Sequence, residues 1–307
     1  MIELHRKLLG DAVRNRAFHD ALQKTVRPGV TLLDVGAGTG FLSFIASRMG
    51  AKCHLVEQEN IITLARSIGD LNGIKNCTYR HEHSTKASYK GKVDIIVSET
   101  LGNYAFEENI IESIESVRHM LKPGGVIMPS SLRQFIAPVI TPRLYDGINI
   151  WDTIGYDLDM SPAKAMSLNN MYVKTVLPDD IGGESNARQW DAVDFYKKSK
   201  SVRNGNIRWS LKSGTVYGFA LWWESTLAEG VTLSTSPFAP LTHWEQIYLP
   251  LVTPVTLKRP SVIEATLLSD SRFSVGIDLS WTLRVFEGEK QTAEQAMSME
   301  QGMYPRT

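Results

Sequence analysis

Between residues 5 and 24, Leu8, Leu9, Ala12, Val13 and Phe18 recur at helical spacing with polar residues between them, which predicts an amphipathic helix ended by Pro28 and Gly29. TLLDV (31–35) predicts a short strand, and FLSFIASRMG, after a glycine-rich turn, predicts a helix closed by Gly50. KCHLVE (52–57) and VDIIVSE (93–99) read as two further strands, separated by a helix and a polar connection. Residues 109–121 read as a helix ended by KPGG, after which GVIMP leads out to Pro129. Near-continuous apolar strands alternating with helices predict a parallel, doubly wound α/β sheet.

Past Pro129 the periodicity changes. Short runs rich in Val, Thr, Trp and Phe, such as GTVYGFALWWE, VTLKRP and FSVGIDLSWTLRVF, alternate and are separated by turn residues, which predicts antiparallel β structure. All seven tryptophans fall in this half. The expected division is therefore 1–129 and 130–307. The final stretch, EGEKQTAEQAMSMEQG, is polar enough to read as a frayed helix or a tail, and the chain carries no internal repeat or low-complexity tract.

Length and charge narrow the class. A chain of 307 residues that is 43% hydrophobic can bury a sizeable core, and its length fits two domains better than one. Lys plus Arg and Asp plus Glu both total 33, so no global field recruits nucleic acid or an anionic membrane. The two cysteines, Cys53 and Cys77, have neither zinc nor disulfide spacing, and both read as buried thiols in a reducing compartment with no structural metal. The N-terminus is charged from its third residue and no apolar run reaches the roughly 18 residues of a membrane span, so a soluble, cytoplasmic protein is expected.

Candidate chemistry begins in LLDVGAGTG, where Asp34 precedes Gly36, Gly38 and Gly40 at alternate positions between a strand and a helix. Glycine permits a sharp turn and close approach of a ligand to the main chain. The dinucleotide fingerprint would need a small residue where Phe41 stands, so pyrophosphate binding and an NAD-linked oxidoreductase are the weaker reading. A ligand with an amino-acid part and a nucleoside part suits the turn better, with Asp34 facing the ammonium side. Glu57 ends the next strand, where a carboxylate can accept both ribose hydroxyls.

SETLGNYAFEEN sets Glu99 at the C-terminal end of a predicted parallel strand, with Glu107 and Glu108 after a short loop that Gly102 allows to be tight. Arginine stays protonated in proteins, so its nitrogen cannot be made nucleophilic by simple deprotonation. Two carboxylates against the planar fork can instead hold positive charge on the nitrogens they touch, leaving lone-pair density on the third.

These residues resemble the protein arginine methyltransferase family, whose two essential glutamates stand nine positions apart, as Glu99 and Glu108 do. The family's Thr-His-Trp loop is matched by Thr242, His243 and Trp244, and its cofactor-covering helix by His5, Asp11 and Arg14. The resemblance covers His5 to about Phe286 and implies a Rossmann-like domain followed by an antiparallel β-barrel-like domain. It implies S-adenosylmethionine as cofactor, with Arg14 on its carboxylate, Asp34 and Gly36 on its amino-acid part and Glu57 on its ribose. It further implies an Asp11–His243 pair tying the first helix to the β domain and able to aid proton departure, and Trp244 beside the substrate. Family members dimerise head to tail through an arm, for which 155–178 is the matching segment; its methionines look exposed, and a homodimer is expected.

Several positions depart from the pattern. Only four residues precede His5, so the aromatic segment that commonly folds over the family's active site is expected to be trimmed or absent. Thr100 replaces a Trp, Asn103 an aromatic bordering the substrate groove, and Ser84 an acid that meets the adenine. These changes concern the substrate mouth, so free arginine or a small guanidino compound competes with a protein substrate. Leu8 and Ile110, at positions resembling product-controlling ones, favour a monomethyl or asymmetric dimethyl product. A catalytically silent methyltransferase-like scaffold is the alternative of another class.

Overall fold

A computed structural model describes residues 2–87, 89 and 91–303. Two helices open the chain, α1 (Ile2–Gly10) and α2 (Ala12–Thr25), where a single helix was expected. Asp11 separates them because its backbone is extended and its side chain accepts the Arg14 N–H, starting α2 afresh. There follow β1 (Thr31–Val35), α3 (Phe41–Arg48), β2 (Lys52–Glu57), α4 (Ile61–Leu71), β3 (Cys77–His81), β4 (Val93–Ser98), α5 (Ile110–Val117) and β5 (Leu121–Met128). The helix expected to run to 121 stops at Val117, and KPGG belongs to β5, where the pairing with β4 shifts register between Val93 and Ile95.

The first five strands form one parallel sheet in the order β3-β2-β1-β4-β5. Alternate residues of β1 enter different cores, Leu32 with α2 and α3 on one face, Leu33 and Val35 with Val117 and Met120 on the other. Burial on both faces is why these strands read as continuous apolar runs. Cys53 is buried beneath α3, whereas Cys77, on a sheet edge, is half-buried.

The second half contains β6 (Ser131–Val139), α6 (Arg143–Asp146), α7 (Ser161–Leu168), β7 (Tyr172–Lys174), β8 (Arg188–Asp194), β9 (Val202–Leu211), β10 (Gly214–Ala228), β11 (Val231–Ser234), β12 (Gln246–Leu257), β13 (Ser261–Asp270), β14 (Asp278–Glu287) and β15 (Lys290–Ser298). They make two antiparallel sheets, β7-β12-β10-β6-β8 with β11 on β10, and β15-β14-β13-β9. The sheets face each other through large side chains: Trp209 stacks on Phe219 at 5.8 Å, and the Trp281 indole donates to Pro250 O at 2.9 Å. The polar tail expected at the C-terminus is instead the edge strand β15, paired along β14. Within FSVGIDLSWTLRVF, Phe273 to Ile277 form a loop and the strand starts at Asp278. One continuous core, from Phe18 and Leu32 to Trp223 and Ile263, joins the two halves, and α2 packs on α3, β10 and β11.

Candidate active site

In an open parallel sheet, ligands lie outside the carboxyl ends of the strands where strand order reverses. Here it reverses between β1 and β4. A cleft of about 490 Å³ opens there, lined from α1 by His5 and Leu8, from the glycine turn by Gly36 and Gly38, and from the loop after β4 by Glu99 and Glu108. That volume suits a small organic ligand.

The turn after β1 is restricted to glycine at three alternate positions. Gly36, Gly38 and Gly40 all have positive φ, and a Cβ on Gly36 would stand 2.5 Å from Thr100 Cγ2. A Cβ on Gly38 would press on the His5 ring at 3.1 Å, which places α1 directly over the turn. Glu57 is buried at the end of β2, where Gly38 N donates to Oε2 at 2.9 Å and Glu59 N to Oε1 at 2.8 Å, fixing its carboxylate at the cleft wall. Asp34 is buried on β1 and accepts from Ser43 Oγ at 2.7 Å; burial, then the nearby Glu57 and Glu99 charges, push its pKa up to about 7.

The loop from Leu101 to Asn109 carries the second acid. Gly102 is required in it, since a Cβ would meet Glu107 Cβ at 2.3 Å. Glu107 folds back to accept from Tyr104 N at 3.2 Å, so that of the two acids on the cleft wall Glu108 is the more exposed. Burial among protein atoms and the charges of Glu99, Glu107 and Glu57 push the Glu108 pKa up to about 8, although its side chain meets cleft water. Glu99 is buried against Arg14, whose Nε donates to Oε2 at 2.8 Å and whose Nη2 donates to the same oxygen. Arg14, expected on the cofactor carboxylate, lines the cleft and pairs with Glu99.

Asp11 and His243 meet across the two halves. The His243 ring Nδ1 lies 2.7 Å from Asp11 Oδ2, to which His243 N also donates at 2.9 Å. Burial raises the Asp11 pKa, but the hydrogen bonds from Arg14 and His243 outweigh it and hold this carboxyl below its ordinary range. Trp244 was expected beside the substrate. It lies in the interior, its indole donating to Leu101 O at 2.6 Å and packed edge-on at 5.0 Å against Trp223, which donates to Gly102 O at 3.1 Å. Asn103 is likewise turned from the cleft and donates to Trp244 O at 2.5 Å. Of the product-controlling candidates, Leu8 lines the cleft and Ile110 is buried. Ser84 is buried in the turn after β3 and lines the cleft beside His83.

Sequence reasoning missed His83 and Phe273, whose rings meet at 4.9 Å on the cleft wall. Phe273 sits in a segment that reads as strand, so nothing local marked it. Among the described residues, no group of three or more His, Cys, Asp or Glu side chains is placed to hold a metal ion.

A glycine cradle at the switch point of a 3-2-1-4-5 parallel sheet, joined to an antiparallel β domain, defines a methyltransferase of the Rossmann-like class, and a family model described as a methyltransferase domain matches residues 27–190. A second, described as the arginine methyltransferase oligomerization subdomain, matches 133–284. Protein arginine N-methyltransferase 6 of Xenopus tropicalis is 33% identical over 280 residues, covering 85% of this chain and 82% of that protein. The arginine N(omega)-methyltransferase of Streptomyces achromogenes subsp. streptozoticus is 27% identical, covering 83% of this chain and 72% of its own. The solved Trypanosoma brucei PRMT1 enzyme-prozyme heterotetrameric complex with AdoHcy shares the fold at a TM-score of 0.86 and 24% identity, over 97% of this chain and 98% of that one. The chain belongs to the protein arginine methyltransferase family.

Proposed function

We propose that this chain transfers a methyl group from S-adenosylmethionine to a guanidinium nitrogen of arginine. The observation that carries the reading is the placement of Glu99 and Glu108 in the same cleft as the glycine turn. The residues present fit that cofactor: a glycine-rich turn that lets the amino-acid part approach the main chain, Asp34 and Arg14 lining the same cleft, and the oriented Glu57 carboxylate for two ribose hydroxyls.

When bound, the cofactor supplies an electrophilic methyl group on a positively charged sulfur. Glu99 and Glu108 accept hydrogen bonds from the substrate guanidinium and hold its charge on the nitrogens they touch, leaving the third free to attack. Both bonds from Arg14 land on Glu99 Oε2, which leaves Oε1 for the substrate. Glu108, whose pKa is raised, holds the guanidinium in its ionised form and can accept the proton that the methylated nitrogen sheds. Asp11 and His243 fix α2, and so Arg14, against the β domain; Trp244 and Asn103 hold the Glu108 loop rather than the substrate.

Leu8 at the cleft supports a monomethyl or asymmetric dimethyl product, being smaller than Phe. A second reading, with free arginine or a small guanidino compound as acceptor, is favoured by the Streptomyces relative's name and by Thr100 on the cleft wall. The oligomerization-subdomain match supports a homodimer, through an arm at about 155–178 in which Tyr156 is 89% and Leu158 64% exposed. The methionines expected there to be exposed, Met160, Met166 and Met171, are half-buried. The division at 129/130 falls between β5 and β6. Among the described residues no helix is long and apolar enough to cross a membrane, and a cytoplasmic location agrees with this.

The test is incubation with methyl-labelled cofactor and, separately, free arginine and an Arg-Gly-rich peptide. Label should enter at least one acceptor, and Glu108→Gln should lose turnover by about 100-fold or more while keeping S-adenosylhomocysteine affinity. Full activity of that variant would overturn the two-carboxylate reading.

A further inference from the structure

Resting on the cofactor reading above, we infer that Phe273, supplied by the β domain, forms with His83 an aromatic wall that stacks on the adenine base of the cofactor. The order of the strands sets the direction of the cleft. Glu99 follows β4, Asp34 and Gly36 stand at the end of β1, Glu57 ends β2, and Glu82, His83 and Ser84 follow β3. A ligand whose reacting end lies at Glu99 and whose ribose lies at Glu57 has its base at the β3 end. That end is where the Phe273 ring approaches the His83 imidazole, with centroids 4.9 Å apart and planes at 70°. Both side chains line the cleft.

The loop that brings Phe273 there is held from below. Ser271 is fully buried; its carbonyl accepts from Asn109 Nδ2 at 2.6 Å, and its hydroxyl donates to Glu112 Oε1 at 3.0 Å. These bonds tie the loop to the start of α5, directly after Glu108. Phe273, two residues on, keeps 43% of its surface exposed. A large ring held at a cleft wall with its surface in water gains from a planar heterocycle laid against it. Ser84, where an acid would address the base edge, can offer one hydroxyl only, so face contact takes a larger share of base recognition.

Calorimetric titration with S-adenosylhomocysteine and with 5′-methylthioadenosine, which lacks the amino-acid part, tests this. Phe273→Ala should weaken both ligands by the same factor, roughly three- to tenfold, the size of one aromatic contact. Phe273→Tyr should bind as the parent does, and Phe273→Leu should stay near the Ala variant; these two decide the matter if Phe273→Ala fails to fold. Parental affinity in Phe273→Ala, rescue by Leu equal to that by Tyr, or a loss confined to S-adenosylhomocysteine would each overturn the inference while leaving the enzyme assignment standing. Failure of the parent protein to bind either ligand would overturn both.

Discussion

Glu108 and Asp34 sit in a cleft crowded with carboxylates, and burial together with those like charges raises them to about 8 and about 7. A raised acid must lose its proton before it can hold a guanidinium, so kcat/KM should climb from about pH 6, reach half its maximum at about pH 8 and level off above about pH 9, a profile steady-state rates would show. The same shifts act on folding. Between the unfolded carboxyl values near about 4 and the raised folded values, the native chain binds more protons than the unfolded one, so stability falls as pH rises through that window. Asp11, held low, acts in the opposite sense: its contribution is present above its unfolded pKa and is lost as pH falls through its lowered folded value. Urea titrations of the ligand-free protein at pH 5 and pH 8 should give the higher midpoint at pH 5. The residues carrying this were legible because their chemistry is local: an acid before three glycines, and two acids on either side of a turn. Trp244 was not, because an indole at that position can face a substrate or a carbonyl, and only the packing of Trp223 behind it decides.

The element on which the site turns is the loop Leu101–Asn109, whose two first carbonyls each receive an indole N–H from the β domain. Trp244→Phe removes one donor and leaves the buried Leu101 carbonyl unpaired, at a cost of about 1–3 kcal/mol. Because the loop ends in Glu108, kcat should drop by about tenfold or more while S-adenosylhomocysteine affinity stays within about twofold, a split that separates displaced acids from general unfolding. Parallel strands and the glycine turn could be read directly, since burial on both faces leaves an unbroken apolar run. The break at Asp11 and the strand β15 could not. The first depends on one side chain capping its own backbone; in the second only Met297 is buried, so an edge strand looks like a tail.

For the whole molecule, the proposed dimerisation arm carries its own test, since Tyr156 and Leu158 are exposed on it. Leu158→Glu should shift sedimentation toward monomer at micromolar concentration and reduce turnover with it; an unchanged sedimentation profile would exclude this arm from the interface. The division of the chain into parallel and antiparallel halves was readable from the change in periodicity at Pro129. How the halves lean on each other was not, since the contacts that join them are far apart in sequence: Asp11 and His243 by 232 residues, Leu101 and Trp244 by 143. The tryptophan clasps on the acid-bearing loop also make the site a joint property of both halves. A hybrid that kept residues 1–129 but took its β half from a distant cousin would retain a crevice for the methyl donor, yet its acids would align only if the newcomer brought two indoles to the same pair of carbonyls. In this chain, the alignment of the acids depends on both halves through the two indoles that hold the loop's carbonyls.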